Sequence, residues 1–135
     1  LYALPYELSR QYAIRRYGFH GIAPESMLRR YCEITGTPVD QANLITLQLG
    51  NGCSVCAIRH GRSIDSSMGF TPLEGLVMGT RTGDLDPSVL FYLMRQGVLT
   101  PDAADDLLNR RSGLLGVSGL SNDMRTHEEQ AATNP

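Results

Sequence analysis

The feature that most restricts this chain is the stretch Asn43 to Ser67, NLITLQLGNGCSVCAIRHGRSIDSS. Two short runs rich in Leu, Ile, Val and small residues, Asn43 to Leu49 and Cys53 to Arg59, flank Gly50-Asn51-Gly52, and a third run follows His60-Gly61. Asn-Gly supplies the positive φ angles that a tight hairpin demands, so the spacing predicts a three-stranded antiparallel meander. Gly50 and Gly52 carry no Cβ, which lets backbone N–H groups approach a phosphate and donate to it. Asn-Gly is also the commonest hairpin signal, and most such turns bind nothing. The turn alone leaves a phosphate grip and a plain connection both open.

The size of the chain fits what such a meander can organise. With 135 residues, 41% hydrophobic and 19% charged, the composition suits one soluble domain with a modest core. A net charge of −2 gives no basic footprint for nucleic acid. No run reaches the roughly 18 consecutive apolar residues of a membrane helix, and the start, LYALPYELSRQY, lacks a signal-peptide pattern. The expectation is a cytoplasmic protein without membrane or nucleic-acid partners. Cys53 and Cys56 are spaced CxxC but lie in a predicted strand, where residues three apart face opposite ways. That argues against a disulfide or a metal site, and Cys32, His20, His60 and His127 are too scattered to add one.

Before the meander, Tyr6 to Ile14 reads as a short helix and Arg15 to Gly21 as a short strand ending at His20. A helix follows from Pro24-Glu25 to Ile34, with Met27, Leu28, Tyr31 and Ile34 as its buried face and Gly36 past its end. This order implies a mixed α/β architecture. After the meander, Met68 to Pro87 is dense in Gly and turn residues yet apolar enough to be ordered. It is read as an active-site loop presenting Arg81 between Gly79 and Gly83. Asp86-Pro87 caps a helix over Ser88 to Gln96, and Thr100 caps another from Pro101. Gly113, Gly116 and Gly119 punctuate a loop ending in Ser121-Asn122-Asp123-Met124-Arg125, and the tail from Thr126 to Pro135 is polar and uninformative. No GxxxxGK[ST] occurs, and the glycine hairpin leads into a strand, so neither a P-loop nor a dinucleotide fingerprint is present.

Four motifs in one order, RRYGFHG, LGNGCS, DSSMGFTPLEGLVMGTRTGDLDP and SGLLGVSGLSNDMR, cover nearly the whole chain. On these residues the chain resembles the central segment of the acetate and propionate kinase family. The resemblance implies part of the actin, Hsp70 and sugar-kinase (ribonuclease H-like) fold, an α/β architecture with the three-stranded antiparallel meander and surrounding helices. Residues 1–42 would end an N-terminal domain and cross over, and 43–135 would begin a second, nucleotide-binding domain with a helical insertion. The implied reaction is reversible transfer of the ATP γ-phosphoryl to acetate.

In that family His20 matches the histidine contacting the transferring phosphoryl, and Arg81 the arginine that stabilises its transition state. Gln48, Leu49, Gly50, Asn51 and Gly52 match the nucleotide-phosphate hairpin, and Asp123, Met124 and Arg125 match residues near the sugar and base. ATP or ADP, a small carboxylate such as acetate or propionate, Mg2+ and a homodimeric parent protein are implied with it. Two departures stand out: Gln48 replaces a usual histidine, and Ile22-Ala23-Pro24 replaces a usual Thr-Ser-His. The family's magnesium ligands, substrate arginine and essential aspartate fall before Leu1 or after Pro135. The chain alone is therefore expected to be inactive. A non-catalytic nucleotide-binding module and a propionate or butyrate kinase are the alternatives.

Overall fold

The alternating runs around the glycine hairpin form the expected sheet. In the computed structural model, which describes residues 1–131 and 133, β1 (Leu44–Leu49), β2 (Cys53–Arg59) and β3 (Arg62–Ser66) pair antiparallel in the order β1-β2-β3. The last three residues of the polar tail other than Thr133 lie outside the described residues. The chain groups into two compact units, Leu1–Leu49 with Cys53–Gly75, and Gly50–Gly52 with Leu76–Pro135.

In the first unit, the register pairs Leu44 with Ile58, Thr46 with Cys56 and Gln48 with Ser54, which puts these six side chains on one face. Thr46, Ser54, Cys56 and Ile58 are buried there. Against that face lies α2 (Ile22–Thr35), ended by Gly36 in the left-handed conformation as expected. Leu28, Ala42, Cys56 and Ile58 form the core, with Cys32 and Leu44 packed on it. The helix buries the row Pro24, Leu28 and half-buried Cys32, each four residues from the next. Of the expected face only Leu28 is buried, and Ile34 is 70% exposed. A single row spaced by four meets the sheet, so the wider stripe is not used.

One turn and one strand assignment are corrected. Positive φ occurs at His60 (51°) and Gly61 (68°), not at Asn51 or Gly52. The tip spreads its reversal over three residues, closed by the Gly50 N–H donating to the Gly52 carbonyl at 3.3 Å, and so has no need of left-handed backbone. The segment Arg15 to Gly21 is not a strand. Tyr17 and Gly18 both donate N–H to the single Gly69 carbonyl, at 3.0 and 3.1 Å, and left-handed Gly18 and His20 break any ladder. The opening helix, α1, is shorter than expected, Tyr6–Gln11.

A polar knot fastens 66–74 to the chain's first residues. The Arg16 guanidinium reaches Glu74 and the Ser66 carbonyl, while the Tyr2 hydroxyl meets Glu74 and accepts the Phe70 N–H at 2.7 Å. Burial, and then the Glu74 carboxylate, raise the Tyr2 phenol above its ordinary pKa.

The second unit is helical: α3 (Ser88–Arg95), α4 (Pro101–Arg110), α5 (Gly113–Ser118) and α6 (Met124–Gln130). Asp86 Oδ1 accepts the Ser88 N–H at 2.8 Å, and Thr100 Oγ1 accepts the Ala103 N–H at 3.2 Å, as the sequence suggests. The segment punctuated by Gly113, Gly116 and Gly119 holds α5 where a loop was expected. Only Gly113 and Gly119, at its two ends, take positive φ. The polar tail supplies α6, started by Asp123. No helix among the described residues is long and apolar enough to cross a membrane.

Candidate active-site elements

In the first unit the site is built on the polar end of the buried sheet face. His20, with φ 63°, sits just ahead of α2, and its Nδ1 lies 2.7 Å from Ser54 Oγ. Ser54 is 2% exposed and faces Gln48 across the hairpin. Among the described residues Gln48 Oε1 is buried with no hydrogen-bond partner, as is Thr46 Oγ1 two residues back on the same face. A non-glycine residue held left-handed beside unsatisfied polar groups is the kind of local cost that accumulates at functional sites. Ser54 was not picked out by sequence reasoning. Its signal was a polar residue at an inward strand position, in register with Cys56 and Ile58.

A cavity of about 310 Å³ opens on the same face, lined by Phe19, Pro24, Leu28, Cys56, Ile58 and Ser66 among others. Its walls are mainly apolar, which suits no phosphate. Cys53 and Cys56 fall on opposite faces, and Cys32 and Cys56 are free thiols.

In the second unit three segments meet at Asn51. The Gly79 N–H donates to the Asn51 carbonyl at 2.9 Å, and Asn122 Nδ2 donates to Asn51 Oδ1 at 2.9 Å. A Cβ at Gly79 would overlap Asn51 Oδ1 and stand 3.0 Å from the Asn122 carbonyl, so a side chain there would have to displace the Asn51 amide. The loop carrying Arg81 is fixed by its backbone. Met78 N–H donates to the Arg81 carbonyl at 3.1 Å, Thr82 N–H to Leu108 at 3.0 Å, and Ser112 N–H to Thr80 at 3.0 Å. Met78, fully buried, lies under the half-buried Arg81, whose Nη1 is 3.7 Å from the Met78 sulfur.

Asp123 and Arg125 are bound to each other, with Arg125 Nη2 at 2.7 Å from Asp123 Oδ2, and Asp123 Oδ1 accepts the Arg125 N–H at 3.0 Å to cap α6. The Arg125 side chain, and then its backbone N–H, hold the Asp123 carboxyl below its ordinary pKa. Met124 is exposed at the start of α6, and Leu49 is exposed at the end of β1. Of the expected residues, His20 and Gln48 thus belong with Ser54 in the first unit. Gly50, Asn51, Gly52, Arg81, Asp123, Met124 and Arg125 belong to the second. Gly79 and Asn122, which the sequence marked only as loop residues and not as site candidates, join them.

Among the described residues no group of three His, Cys, Asp or Glu side chains comes together to hold a metal.

Comparison with known proteins ties both groups of residues to one lineage. The acetate kinase of Chloroherpeton thalassium is 56% identical over 134 residues, 99% of this chain and 32% of the relative. That of Brachyspira hyodysenteriae is 54% identical over 135 residues, 100% of this chain and 34% of the relative. The chain thus spans about a third of the length of the curated relatives it matches. Among solved structures, an acetate kinase of Porphyromonas gingivalis superposes with a TM-score of 0.93 at 46% identity, over 98% of this chain and 33% of that one. A propionate kinase of Francisella tularensis gives 0.92 at 44%, over 99% and 34%. The α/β architecture with its antiparallel meander and surrounding helices is therefore shared with these kinases. The Acetokinase family itself matches residues 1–135 from end to end, and with relatives more than half identical over the same span, the chain belongs to the Acetokinase family.

Proposed function

We infer that this chain is the central part of an ATP:acetate phosphotransferase and supplies the groups that hold the nucleotide phosphates and steady the phosphoryl in flight. A carboxylate oxygen of acetate attacks the γ-phosphorus of ATP. The bond from that phosphorus to the β-bridging oxygen breaks, and ADP leaves as acetyl phosphate forms. Such transfer needs positioning and dispersed positive charge more than covalent help from the protein. The observation that carries the reading is the family match; the geometry that supports it is the Arg81 loop, tied to α4 and α5 at Thr80 and Thr82. An arginine on so fixed a base can meet a transition state without reorganising.

His20 would contact the transferring phosphoryl group as well. Ser54 occupies Nδ1, so Nε2 is the nitrogen that can face the phosphoryl oxygens. Gln48 can hydrogen-bond a phosphate where a histidine could add charge. The hairpin tip Gly50–Gly52 would take the ATP phosphates, with Leu49 beside it, and Asp123, Met124 and Arg125 would border the sugar and base. Magnesium would reach the reaction through residues outside this chain. In the longer protein residues 1–42 would close the N-terminal domain, with 43–135 opening the nucleotide domain of a homodimeric cytoplasmic enzyme. Propionate stands beside acetate as acceptor, supported by the likeness to a propionate kinase.

The test is a hydroxylamine-trapping assay on the full-length protein with Mg-ATP and acetate. Acyl hydroxamate formed in step with ADP is the expected result. Mg-ATP binding by calorimetry without any acyl phosphate would leave only a nucleotide-binding module.

A further inference from the structure

The hydrogen bonds around Asn51 are one-sided. Its main-chain oxygen accepts from Gly79, and its side-chain oxygen accepts from Asn122. Among the described residues, the Asn51 N–H, the Asn51 Nδ2 and the Gly52 N–H donate to nothing in the chain. Both acceptors are thus turned inward and consumed, and three donors remain at the tip. A side-chain amide can flip and exchange its oxygen for its nitrogen at almost no cost in shape. Among the described residues, the Asn122 amide is the one side-chain partner of the Asn51 amide, and it stands with its nitrogen toward Asn51 Oδ1.

We propose that Asn122 is a positioning residue for nucleotide binding: by donating to Asn51 Oδ1 it holds the Asn51 amide with Nδ2 outward, so that the Asn51 side chain offers a polyphosphate a donor and not an acceptor. This rests on the proposed nucleotide role of the hairpin. Without the latch, the Asn51 amide samples the flipped state, in which a carbonyl oxygen faces phosphate oxygens and repels them. Gly79 holds the other half of the latch, since it bonds the Asn51 carbonyl and is itself fixed where Leu115 N–H donates to its oxygen at 3.0 Å. Asn122 touches no reacting atom, and acts wholly through Asn51.

The sign of two substitutions separates this from a structural contact. Asn122→Ala removes the donor. Asn122→Asp keeps the shape but puts oxygen against Asn51 Oδ1, which drives the amide to the flipped state. In the full-length protein, KM for ATP should rise about tenfold for Asn122→Ala and about a hundredfold for Asn122→Asp, the scale of one charge-assisted hydrogen bond lost and then reversed. KM for the carboxylate should hold in both. A merely structural residue would shift both substrates together and make the near-isosteric Asn122→Asp the milder change. Either pattern, or an unchanged KM for ATP in Asn122→Ala, overturns the proposal.

A second measurement needs no nucleotide. In the 135-residue chain, proton exchange followed by 15N NMR should find the Asn122 side-chain amide protected and that of Asn51 exchanging freely, and the reverse would overturn the latch. If the wild-type full-length protein shows no dependence on ATP at all, it is the nucleotide reading that fails, and the exchange result still judges the amide orientation.

Discussion

At Arg81 two roles differ by orders of magnitude. A surface arginine in an exposed pair is worth about 0–1 kcal/mol of stability. One that neutralises a transferring phosphoryl group is worth about 10³–10⁵ in kcat. Arg81→Ala in the full-length protein should leave the melting temperature and ATP affinity near wild type while kcat falls about a thousandfold. Arg81→Lys should restore only part of the rate, since an ammonium lacks the planar fork. An active Arg81→Ala, or one that is inactive because it unfolds, would return Arg81 to the surface role. At His20 the prediction is subtler: Ser54→Ala keeps the volume but frees the imidazole, and kcat should drop about ten- to a hundredfold through misplacement alone. His20 and Arg81 were singled out as candidates because whole motifs surround them. Ser54, Gly79 and Asn122 were not, because each works through a partner far away in sequence, 34 positions for Ser54 and 71 for Asn122.

Among the elements, those set by local chemistry were the readable ones. The meander followed from runs rich in Leu, Ile, Val and small residues on either side of Asn-Gly, and α3 and α4 from their Asp86 and Thr100 caps. The mistakes came where one residue type has two uses. Glycine was read as punctuation at 116, although only Gly113 and Gly119 bend the chain left-handed, and α5 runs between them. Asn-Gly was given the left-handed turn that His60-Gly61 adopts. These glycines can be told apart by experiment. Gly97 has positive φ (70°) and open space around it, so Gly97→Ala should cost only backbone strain, about 1 kcal/mol. Gly61 has the same φ class, but a Cβ there would overlap the Val39 carbonyl, so Gly61→Ala should cost about 2–4 kcal/mol. Urea unfolding of the two variants checks the order, and equal losses would mean that the Val39 contact gives way freely.

For the whole molecule, the sheet has two faces and this chain covers one. Ile45, Leu47 and Leu49 alternate along β1 away from the core and are 68%, 54% and 72% exposed, opposite Ala57, Val55 and Cys53. An apolar face of this kind lacks the charge or polar alternation with which a sheet usually meets water. The same incompleteness holds for the chemistry. The described residues offer a glycine hairpin, an arginine and a histidine as the proposed site, no three His, Cys, Asp or Glu side chains among them come together, and the chain spans about a third of its relatives. Positioning dominates phosphoryl transfer, so a partial set of groups should lose far more than its share of the rate. We therefore expect the 135-residue chain alone to form no detectable acetyl phosphate from Mg-ATP and acetate, even where calorimetry detects nucleotide binding. Hydroxamate trapping beside a full-length relative is the measurement. Turnover within about tenfold of that relative, a difference of only about 1.4 kcal/mol in the barrier, would show that the groups on these two units suffice for the reaction.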